Sequence, residues 1–440
     1  MSNSVAVKMY ELAEKLWPLN RSLTGQGVRS TLRYVQEILP NLEILEIPTG
    51  TQVFDWVIPK EWKVHNAWIV TPDGKKICDF SVNNLHLVGY SMPINTTLSL
   101  AELNQHLYSL PDQPSAIPYI TSYYQERWGF CLTQNQRNEL VDGDYEVFID
   151  AELFEGSLTY AELIIPGLSE KEVFLSTYVC HPSMANNELS GLVVTTYLAK
   201  WLSECSKNKY THRIIFIPET IGSIMYLSKN LKSMKSNIIA GYNVSCVGDE
   251  RGYSYLPSRR GNTLSDVVGI HMLKHLAPDF KSYTWKDRGS DERQYCAPHI
   301  DLPIASVMRT KYGEYPEYHT SLDNLINVVT KDGLWGGYNV LKHCLEAINH
   351  HCYPSVNVYC EPQLGKRGLY PTLSTKNTHN KVSLMMNLIT WSDGKNSLIE
   401  IAEICGVPVW DLYPIIKEMQ SRELITLNRN RSDENSTIFY

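Results

Sequence analysis

Residues 172–204 read EVFLSTYVCHPSMANNELSGLVVTTYLAKWLSE, and this stretch decides the fold. Residues 172–180 form an apolar run typical of a buried strand, and residues 190–204 have the pattern of a helix. His181 stands where the predicted strand ends, and two amides, a carboxylate and a Ser-Gly pair follow it. Taken alone, His181 fits a solvated turn as well as it fits a functional site, so the rest of the chain has to decide.

The alternation of strand and helix continues to about residue 352. Further strands are predicted at 213–218, 237–247 and 304–309, and further helices at 223–232, 262–277 and 332–352. This order predicts an α/β fold whose sheet is at least partly parallel, and such sheets bind ligands beyond the carboxyl ends of their strands. Four predicted strand ends carry polar side chains there: His181, Glu219, Asp249 and Arg309. Their shared edge favours a functional site.

Two further modules accompany this core. Residues 50–156 contain short alternating segments with a hairpin signal at Asp73-Gly74, and they predict an inserted, mostly β domain. Residues 375–440 contain a helix, turn, helix, strand pattern around Gly406-Val407-Pro408, which predicts a winged helix. The α/β domain is therefore expected to comprise residues 1–49 and 157–355.

Composition excludes several classes of function. The net charge of −7 argues against nucleic acid or an anionic membrane as the partner of the whole molecule. Residues 393–431 carry six acidic and five basic side chains, so the predicted winged helix lacks a phosphate-binding footprint. No apolar run approaches the ~18 residues of a membrane span. The ten cysteines include no C-x-x-C pair, and we expect reduced thiols and a cytoplasmic location.

Four segments together resemble a known family. They are CHPSMANNELSG (180–191), FIPETIGS (216–223), CVGDERG (246–252) and YGEYPEYHTSLDNL (312–325). In this order they resemble the co-catalytic zinc exopeptidases, aminopeptidases with a phosphorylase/hydrolase-like α/β core. The whole chain also resembles a bacterial subgroup of that family with an inserted β domain and a terminal winged helix. The subgroup is associated with polysaccharide biosynthesis.

The resemblance implies a zinc site, and the residues supply its chemistry. Catalytic zinc takes about three protein ligands and keeps a position open for water, whose pKa then falls to about 7. We expect His181 and His319 to provide imidazole ligands and Glu188 to provide the carboxylate. Glu219 is expected to act as the general base that passes a proton to the leaving amine.

Departures from the family pattern imply one zinc ion per chain instead of two. Asn187 replaces the bridging aspartate, and Thr220 replaces the second residue of a Glu-Glu pair. Ser183 replaces an aspartate that orients the first histidine, and losing such a partner typically costs about 10–100-fold in metal affinity or activity. The remaining metal-binding aspartate aligns with either Cys246 or Asp249, and the sequence leaves this open.

Arginines and tyrosines near the predicted edge suggest a polar or anionic substrate, because arginine captures carboxylates and phosphates in pairs of hydrogen bonds. We expect Arg309, Tyr312, Asp249 and Asp291 to bind it. The candidate substrates are an acylamino sugar, a nucleotide-linked sugar or a short acidic peptide.

The leading interpretation is a zinc-dependent, aminopeptidase-like amide hydrolase. The alternatives are a catalytically weak metal-binding scaffold, which Asn187 and Thr220 favour, and a DNA-binding regulator, which the charge disfavours. Self-association into a homo-oligomer stays open.

Overall fold

The computed structural model describes residues 2–369 and 376–431. The chain divides into two compact units, Met1–Ser265 with Asp279–Leu341 and Asp266–Pro278 with Lys342–Tyr440. Residues 375 and 432–440 of the predicted winged-helix domain lie outside the described residues. In the described part of the chain, no helix is long and apolar enough to cross a membrane.

One eight-stranded sheet forms the core of the first unit. Its strands lie in the order Glu43–Pro48, Ser157–Ile165, Tyr210–Ile217, Ser169–Tyr178, Ile238–Asn243, Ile304–Met308, Ser254–Leu256 and Lys281–Ser282. The third to sixth strands of this order run parallel to one another, and the first three pair antiparallel. The carboxyl ends of the four parallel strands therefore meet at one edge of the sheet.

The parallel strands are apolar because both of their faces are covered. Val173, Phe174 and Leu175 are consecutive and all at most 1% exposed, which is typical of a central parallel strand. The predicted strand at 237–247 ends early, at Asn243, and Cys246 beyond it has a left-handed φ of 52°. The chain leaves the sheet there and turns towards the predicted site.

Helices accompany the strands of the large sheet and of the β insert. The longer ones are Ser2–Leu16, Gln26–Ile38, Ser190–Glu204, Ile221–Asn237, Leu264–Leu276 and Lys331–His350, and the shorter ones are Leu100–Leu103, Gln134–Asn138 and Glu292–Tyr295. A π-helical turn, Ala185–Leu189, precedes helix Ser190–Glu204. Gly191 lets this helix approach the sheet, since a Cβ there would lie 2.4 Å from the carbonyl oxygen of Val244.

Residues between the two antiparallel edge strands form the inserted β module. Its main sheet has the order Lys76–Ile77, Glu61–Val70, Asp144–Phe154 and Ile94–Ser99, and all three pairs are antiparallel. Small two-stranded sheets accompany it: Gln52–Val53 with Trp56–Val57, and Leu107–Tyr108 with Phe130–Cys131. The predicted hairpin turn at Asp73-Gly74 is present, and Gly74 supplies its positive φ of 83°.

The second unit contains a helix-turn-helix and a two-stranded sheet. Its helices include Lys376–Trp391, Leu398–Cys405 and Leu412–Ser421, and strand Tyr353–Val356 pairs antiparallel with Ile425–Asn428. Ser397 starts the second helix with a capping box to Glu400, and Gly406 ends it in a left-handed conformation. The predicted winged helix and the predicted α/β core with a β insert are confirmed.

Candidate active site

The edge of the large sheet brings together three of the predicted site residues. His181 follows strand Ser169–Tyr178, and Glu219 follows strand Tyr210–Ile217. Nε2 of His181 lies 3.6 Å from Oε2 of Glu219. The ring centres of His181 and His319 are 5.5 Å apart.

Glu188 is fully buried, and both of its carboxylate oxygens are engaged. Oε1 accepts from Nε of Arg21 at 2.6 Å, and Oε2 accepts from Nδ1 of His181 at 3.0 Å and from the His181 backbone N–H. A carboxylate at the second ring nitrogen is the usual orienting partner of a metal-binding histidine. These contacts favour an orienting role for Glu188 over the predicted role of metal ligand.

The orienting role of the aspartate that is missing at position 183 thus falls to Glu188. Ser183 donates to the carbonyl oxygen of Trp17 at 3.3 Å, and Glu188 occupies the place beside the His181 ring. Burial lowers the pKa of His181, whereas Cys180 and Glu188 raise it, and the net pKa lies well above the ordinary value.

Glu219 is held at one oxygen and open at the other. Oε1 accepts from Oγ of Ser290 at 2.9 Å, while the Glu219 backbone N–H donates to Sγ of Cys180. Burial raises the pKa of Glu219 above its ordinary value, and the neighbouring His181 opposes this rise. A carboxylate with a raised pKa suits proton transfer near neutral pH.

Asp291, predicted to bind substrate, lies behind Glu219. Its Oδ1 accepts from the Thr220 backbone N–H at 2.7 Å and from Oγ of Ser223 at 2.8 Å, and its Oδ2 has no hydrogen-bond partner among the described residues. Burial, helped by the charge of Glu219, raises the pKa of Asp291 to about 8. Its contacts hold the start of helix Ile221–Asn237 and give Asp291 a supporting position instead of a substrate contact.

His319 presents a neutral imidazole with a free nitrogen. Its residue has a left-handed φ of 57°, and its ring stacks on Tyr318 with ring centres 3.9 Å apart. The His319 carbonyl oxygen accepts from the Tyr119 N–H at 2.9 Å, which joins this loop to the β insert. Burial, and then the proximity of His181, lower the pKa of His319 to about 3, and Nε2 has no hydrogen-bond partner among the described residues.

A cleft of about 340 Å³ opens above these side chains. It is lined by Leu23, Trp56, Tyr119, Thr121, Tyr123, Tyr124, Cys180, His181, Glu219, Thr220, Ile221 and His319. The base comes from the edge of the large sheet, and the aromatic wall comes from the β insert. Glu219 is the only carboxylate in this lining, which contains neither lysine nor arginine.

The other predicted substrate residues make contacts away from the cleft. The Arg309 guanidinium lies 3.9 Å from the ring centre of Tyr253. The Tyr312 hydroxyl donates to Oε1 of Glu292 at 2.6 Å. Asp249 accepts from the N–H and Oγ1 of Thr310, at 2.9 and 2.7 Å. These partners place the three side chains outside the lining of the cleft, and their contact with the substrate stays a prediction.

Three of the arginines that suggested an anionic substrate are paired with carboxylates. Both terminal nitrogens of Arg251 donate to Glu317 at 2.8 Å. Arg259 and Arg260 share Asp301. These three charges are balanced outside the cleft, whereas Arg293 donates to Oγ1 of Thr220 in the cleft lining at 3.2 Å, so an anionic substrate stays a prediction.

The donor set fits one metal ion better than two. Asn187 is a neutral amide whose Oδ1 accepts from the Tyr178 hydroxyl at 2.9 Å. Thr220 has a left-handed φ of 63° and no carboxylate to offer. Burial raises the pKa of the Cys246 thiol well above its ordinary value, which disfavours the thiolate that metals bind. The positions of Asn187, Thr220 and Cys246 thus lack suitable donors for a second ion, and Asp249, the alternative to Cys246, is engaged by Thr310.

A single ion between the two histidines is geometrically plausible. Imidazoles that share one tetrahedral zinc through bonds of about 2.1 Å have ring centres about 5 Å apart, close to the 5.5 Å between His181 and His319. Among the described residues, Cys180, His181 and Glu188 form one group whose donor atoms lie within 4.8 Å of one another. His319 is outside that group.

The other close group of possible metal ligands lies in the second unit, and its His271 and Glu403 already make hydrogen bonds. Nδ1 of His271 bonds to Oε1 of Glu403 at 2.5 Å, and Nε2 accepts from the Val409 N–H at 2.9 Å. Lys274 donates to the second oxygen of Glu403 at 2.7 Å. Because both nitrogens of His271 already make hydrogen bonds, we interpret this group as part of the packing of the second unit.

Sequence reasoning missed several residues of the site. Arg21 gave no signal, because it lies in a polar turn far along the chain from its partners. Asp323 was visible in the His319 segment; it accepts from the backbone N–H groups of Asn186 and Asn187 at 2.7 and 3.0 Å. The aromatic wall was missed because alternating segments of the insert did not reveal which loop faces the core.

Comparisons with known proteins assign this chain to a family. A family model described as a domain of unknown function, DUF4910, matches residues 10–351, and a winged helix-turn-helix model matches residues 351–427. A Clostridium acetobutylicum protein is 44% identical over 408 residues, which cover 92% of this chain and 93% of that protein. Its name assigns it provisionally to polysaccharide biosynthesis, with an aminopeptidase-like domain.

Solved structures show the same fold. A crystal structure of a C. acetobutylicum protein, provisionally named a peptidase, has a TM-score of 0.91 at 42% identity and covers 97% of both chains. BSAP, a zinc aminopeptidase from Bacillus subtilis, has a TM-score of 0.58 at 12% identity, covering 79% of this chain and 95% of its own. An aminopeptidase from Aneurinibacillus sp. strain AM-1 has a TM-score of 0.51 at 14% identity, with coverage of 78% and 93%.

The similarity to the two aminopeptidase structures concerns the fold alone, and it confirms the predicted zinc-exopeptidase-like core. The family model and the 44% identical relative span most of the chain. The chain therefore belongs to the DUF4910 family, with an aminopeptidase-like domain followed by a winged helix-turn-helix.

Proposed function

We propose that this protein is a zinc-dependent hydrolase of amide or peptide bonds. The observation that carries the proposal is the meeting of His181, Glu219 and His319 at the base of one cleft. Nε2 of His181 lies 3.6 Å from the open oxygen of Glu219, and Nε2 of His319 has no hydrogen-bond partner among the described residues. An arrangement of two imidazoles and one carboxylate at a sheet edge suits metal-assisted hydrolysis.

His181 and His319 would supply two of the ligands of a single zinc ion, which when bound would lower the pKa of water to about 7. Glu219 acts as the general base. Ser290 fixes its Oε1, so Oε2 is left to take a proton from the attacking water and to pass it to the leaving amine. The raised pKa of Glu219 supports both steps near neutral pH.

The substrate is proposed to present an uncharged group to the cleft. Trp56, Tyr119, Tyr123 and Tyr124 form much of its wall, without a lysine or an arginine to bind an anion. Among the three expected substrate classes, an acylamino sugar suits this wall better than a nucleotide-linked sugar or an acidic peptide. The link to polysaccharide biosynthesis rests on the name of the C. acetobutylicum relative.

Glu219→Gln tests the assignment. We expect it to lower kcat by about 10²–10⁴-fold, measured with a panel of aminoacyl anilides and N-acylated amino sugars at full zinc loading. Zinc content and circular dichroism should stay unchanged. The matched control is the exposed Glu170→Gln, which should keep wild-type activity. Unaltered turnover by Glu219→Gln would refute the proposed base.

One observation favours the alternative function, a catalytically weak metal-binding scaffold. Asn187 offers an amide that the Tyr178 hydroxyl already engages, and Thr220 lacks a carboxylate. A zinc-loaded wild-type protein that binds members of the panel but turns over none of them would favour this alternative.

A further inference from the structure

Arg21 is a buried cation that does not belong to the lining of the cleft. It lies in the turn after helix Ser2–Leu16 and is 0% exposed. Nε donates to Oε1 of Glu188 at 2.6 Å and to the carbonyl oxygen of His181 at 3.1 Å, while Nη1 donates to the Leu16 carbonyl oxygen at 2.6 Å. The side chain therefore ties the N-terminal segment to the loop that carries His181.

The contact with Arg21 determines what Glu188 does. With Oε1 engaged by the guanidinium, Oε2 faces Nδ1 and the backbone N–H of His181. An ionised carboxylate accepts hydrogen bonds and donates none, so Nδ1 of His181 carries the proton. In the neutral ring Nε2 is then the nitrogen with a lone pair, and it is the one that lies 3.6 Å from Oε2 of Glu219.

Burying an ion pair costs free energy, and this cost explains why both side chains make additional hydrogen bonds. Charged groups taken out of water need good geometry and further hydrogen bonds. Arg21 obtains these from two backbone carbonyl groups, and Glu188 obtains them from a backbone N–H. Both side chains are 0% exposed, so water does not replace either partner.

We propose that Arg21 is a positioning residue of the site, acting through Glu188 to hold His181 as its Nδ1–H tautomer with Nε2 directed into the cleft. The catalytic purpose of this positioning rests on the proposed function. The orientation of His181 does not depend on that function, so it can be measured in zinc-free protein without any hydrolysis.

The test is ¹⁵N NMR of histidine-labelled, zinc-free protein, with His181→Asn used to assign the resonances. Because the pKa of His181 is raised, the spectra are recorded at a pH high enough to make its ring neutral, and the wild type should then show the Nδ1–H tautomer. Removing one member of a buried pair can prevent folding, so the main variant is the neutral double substitution Arg21→Met/Glu188→Met. It should fold, lose the single tautomer and bind zinc about 10–100-fold more weakly in a chelator competition.

Two comparisons separate positioning from general packing. Arg213 and Glu172 form a partly buried pair in the large sheet, with Nε and Oε2 2.6 Å apart. Arg213→Met/Glu172→Met should change stability without altering the His181 tautomer or zinc affinity. Arg21→Lys, which keeps the charge, should retain part of the zinc affinity that the double variant loses.

The outcomes are distinct. An unchanged His181 tautomer and unchanged zinc affinity in the Arg21→Met/Glu188→Met variant would overturn the inference. If Glu219→Gln leaves turnover intact while the tautomer still depends on Arg21, the proposed base fails and the positioning role stands.

Discussion

Asn187 shows how one side chain limits the chemistry of the site. Its amide is buried, its Oδ1 accepts from the Tyr178 hydroxyl, and its Nδ2 has no hydrogen-bond partner among the described residues. A neutral amide stabilises two neighbouring cations far less than a carboxylate does. Thr220 removes a second carboxylate from the same edge, so the pair of substitutions accounts for our expectation of a single ion.

Restoring both carboxylates should restore the second ion. We expect the variant Asn187→Asp/Thr220→Glu to bind two zinc ions per chain where the wild type binds one, because the Tyr178 hydroxyl can still donate to the new aspartate. Elemental analysis of protein dialysed against dilute zinc measures the ratio. Asn187→Ser serves as the control and should stay at one ion. Two ions in the wild type would contradict this reasoning.

At the scale of elements, the central strands create the site by where they end. Strands Ser169–Tyr178 and Tyr210–Ile217 run parallel, so His181 and Glu219 emerge at the same edge. The interiors of the strands must then be apolar on both faces. His212 on the second strand is an exception: it is 1% exposed, and its Nδ1 has no hydrogen-bond partner among the described residues.

His212 should make the large sheet sensitive to acid. Burial lowers its pKa to about 4, whereas an unfolded histidine has a pKa of about 6.5. Between these values the unfolded chain binds more protons, so the free energy of unfolding falls as pH drops from about 6.5 to 4, by up to about 3 kcal/mol. Above pH 6.5 the contribution is fully present.

Urea unfolding of zinc-free protein at pH 7.5 and pH 5.0 measures this effect. We expect His212→Gln to lose less stability than the wild type between the two pH values. The exposed His65→Gln serves as the control and should behave like the wild type. Equal losses in His212→Gln and the wild type would show that His212 does not titrate as described.

At the scale of the whole molecule, the winged helix differs in charge from a DNA-binding one. Helix Leu412–Ser421, the second of its helix-turn-helix, carries one lysine and one glutamate. Arg431 pairs with Glu400 at 2.9 Å, which removes a cation that DNA phosphates would otherwise attract. Affinity for duplex DNA comes largely from phosphate contacts, and this unit offers few.

We therefore expect no binding to a 30-base-pair duplex tighter than about 0.1 mM at 50 mM salt, the weak end of non-specific binding. Fluorescence anisotropy measures it. As a control, Glu418→Lys/Glu423→Lys should produce detectable binding that weakens as salt rises. Micromolar binding by the wild type would return the DNA-binding alternative to consideration.

The sequence by itself determined the alternation of strands and helices, the β insert, the winged helix and the meeting of His181, Glu219 and His319. The elements and modules follow from local periodicity, and the shared edge of His181 and Glu219 follows from one topological rule, that parallel strands end at the same edge. The place of His319 was implied by the resemblance to the zinc exopeptidases. Boundaries were less certain where a left-handed residue such as Cys246 ended a strand early.

Only the tertiary structure decided which charged side chains serve the site. Arg251 and Arg309 looked like substrate groups, yet Glu317 and Tyr253 engage them. Arg21 looked like part of a turn, yet it holds Glu188 against His181. The reason is that a buried charge needs a partner, and the partner is chosen by proximity in space, which spacing along the chain does not reveal.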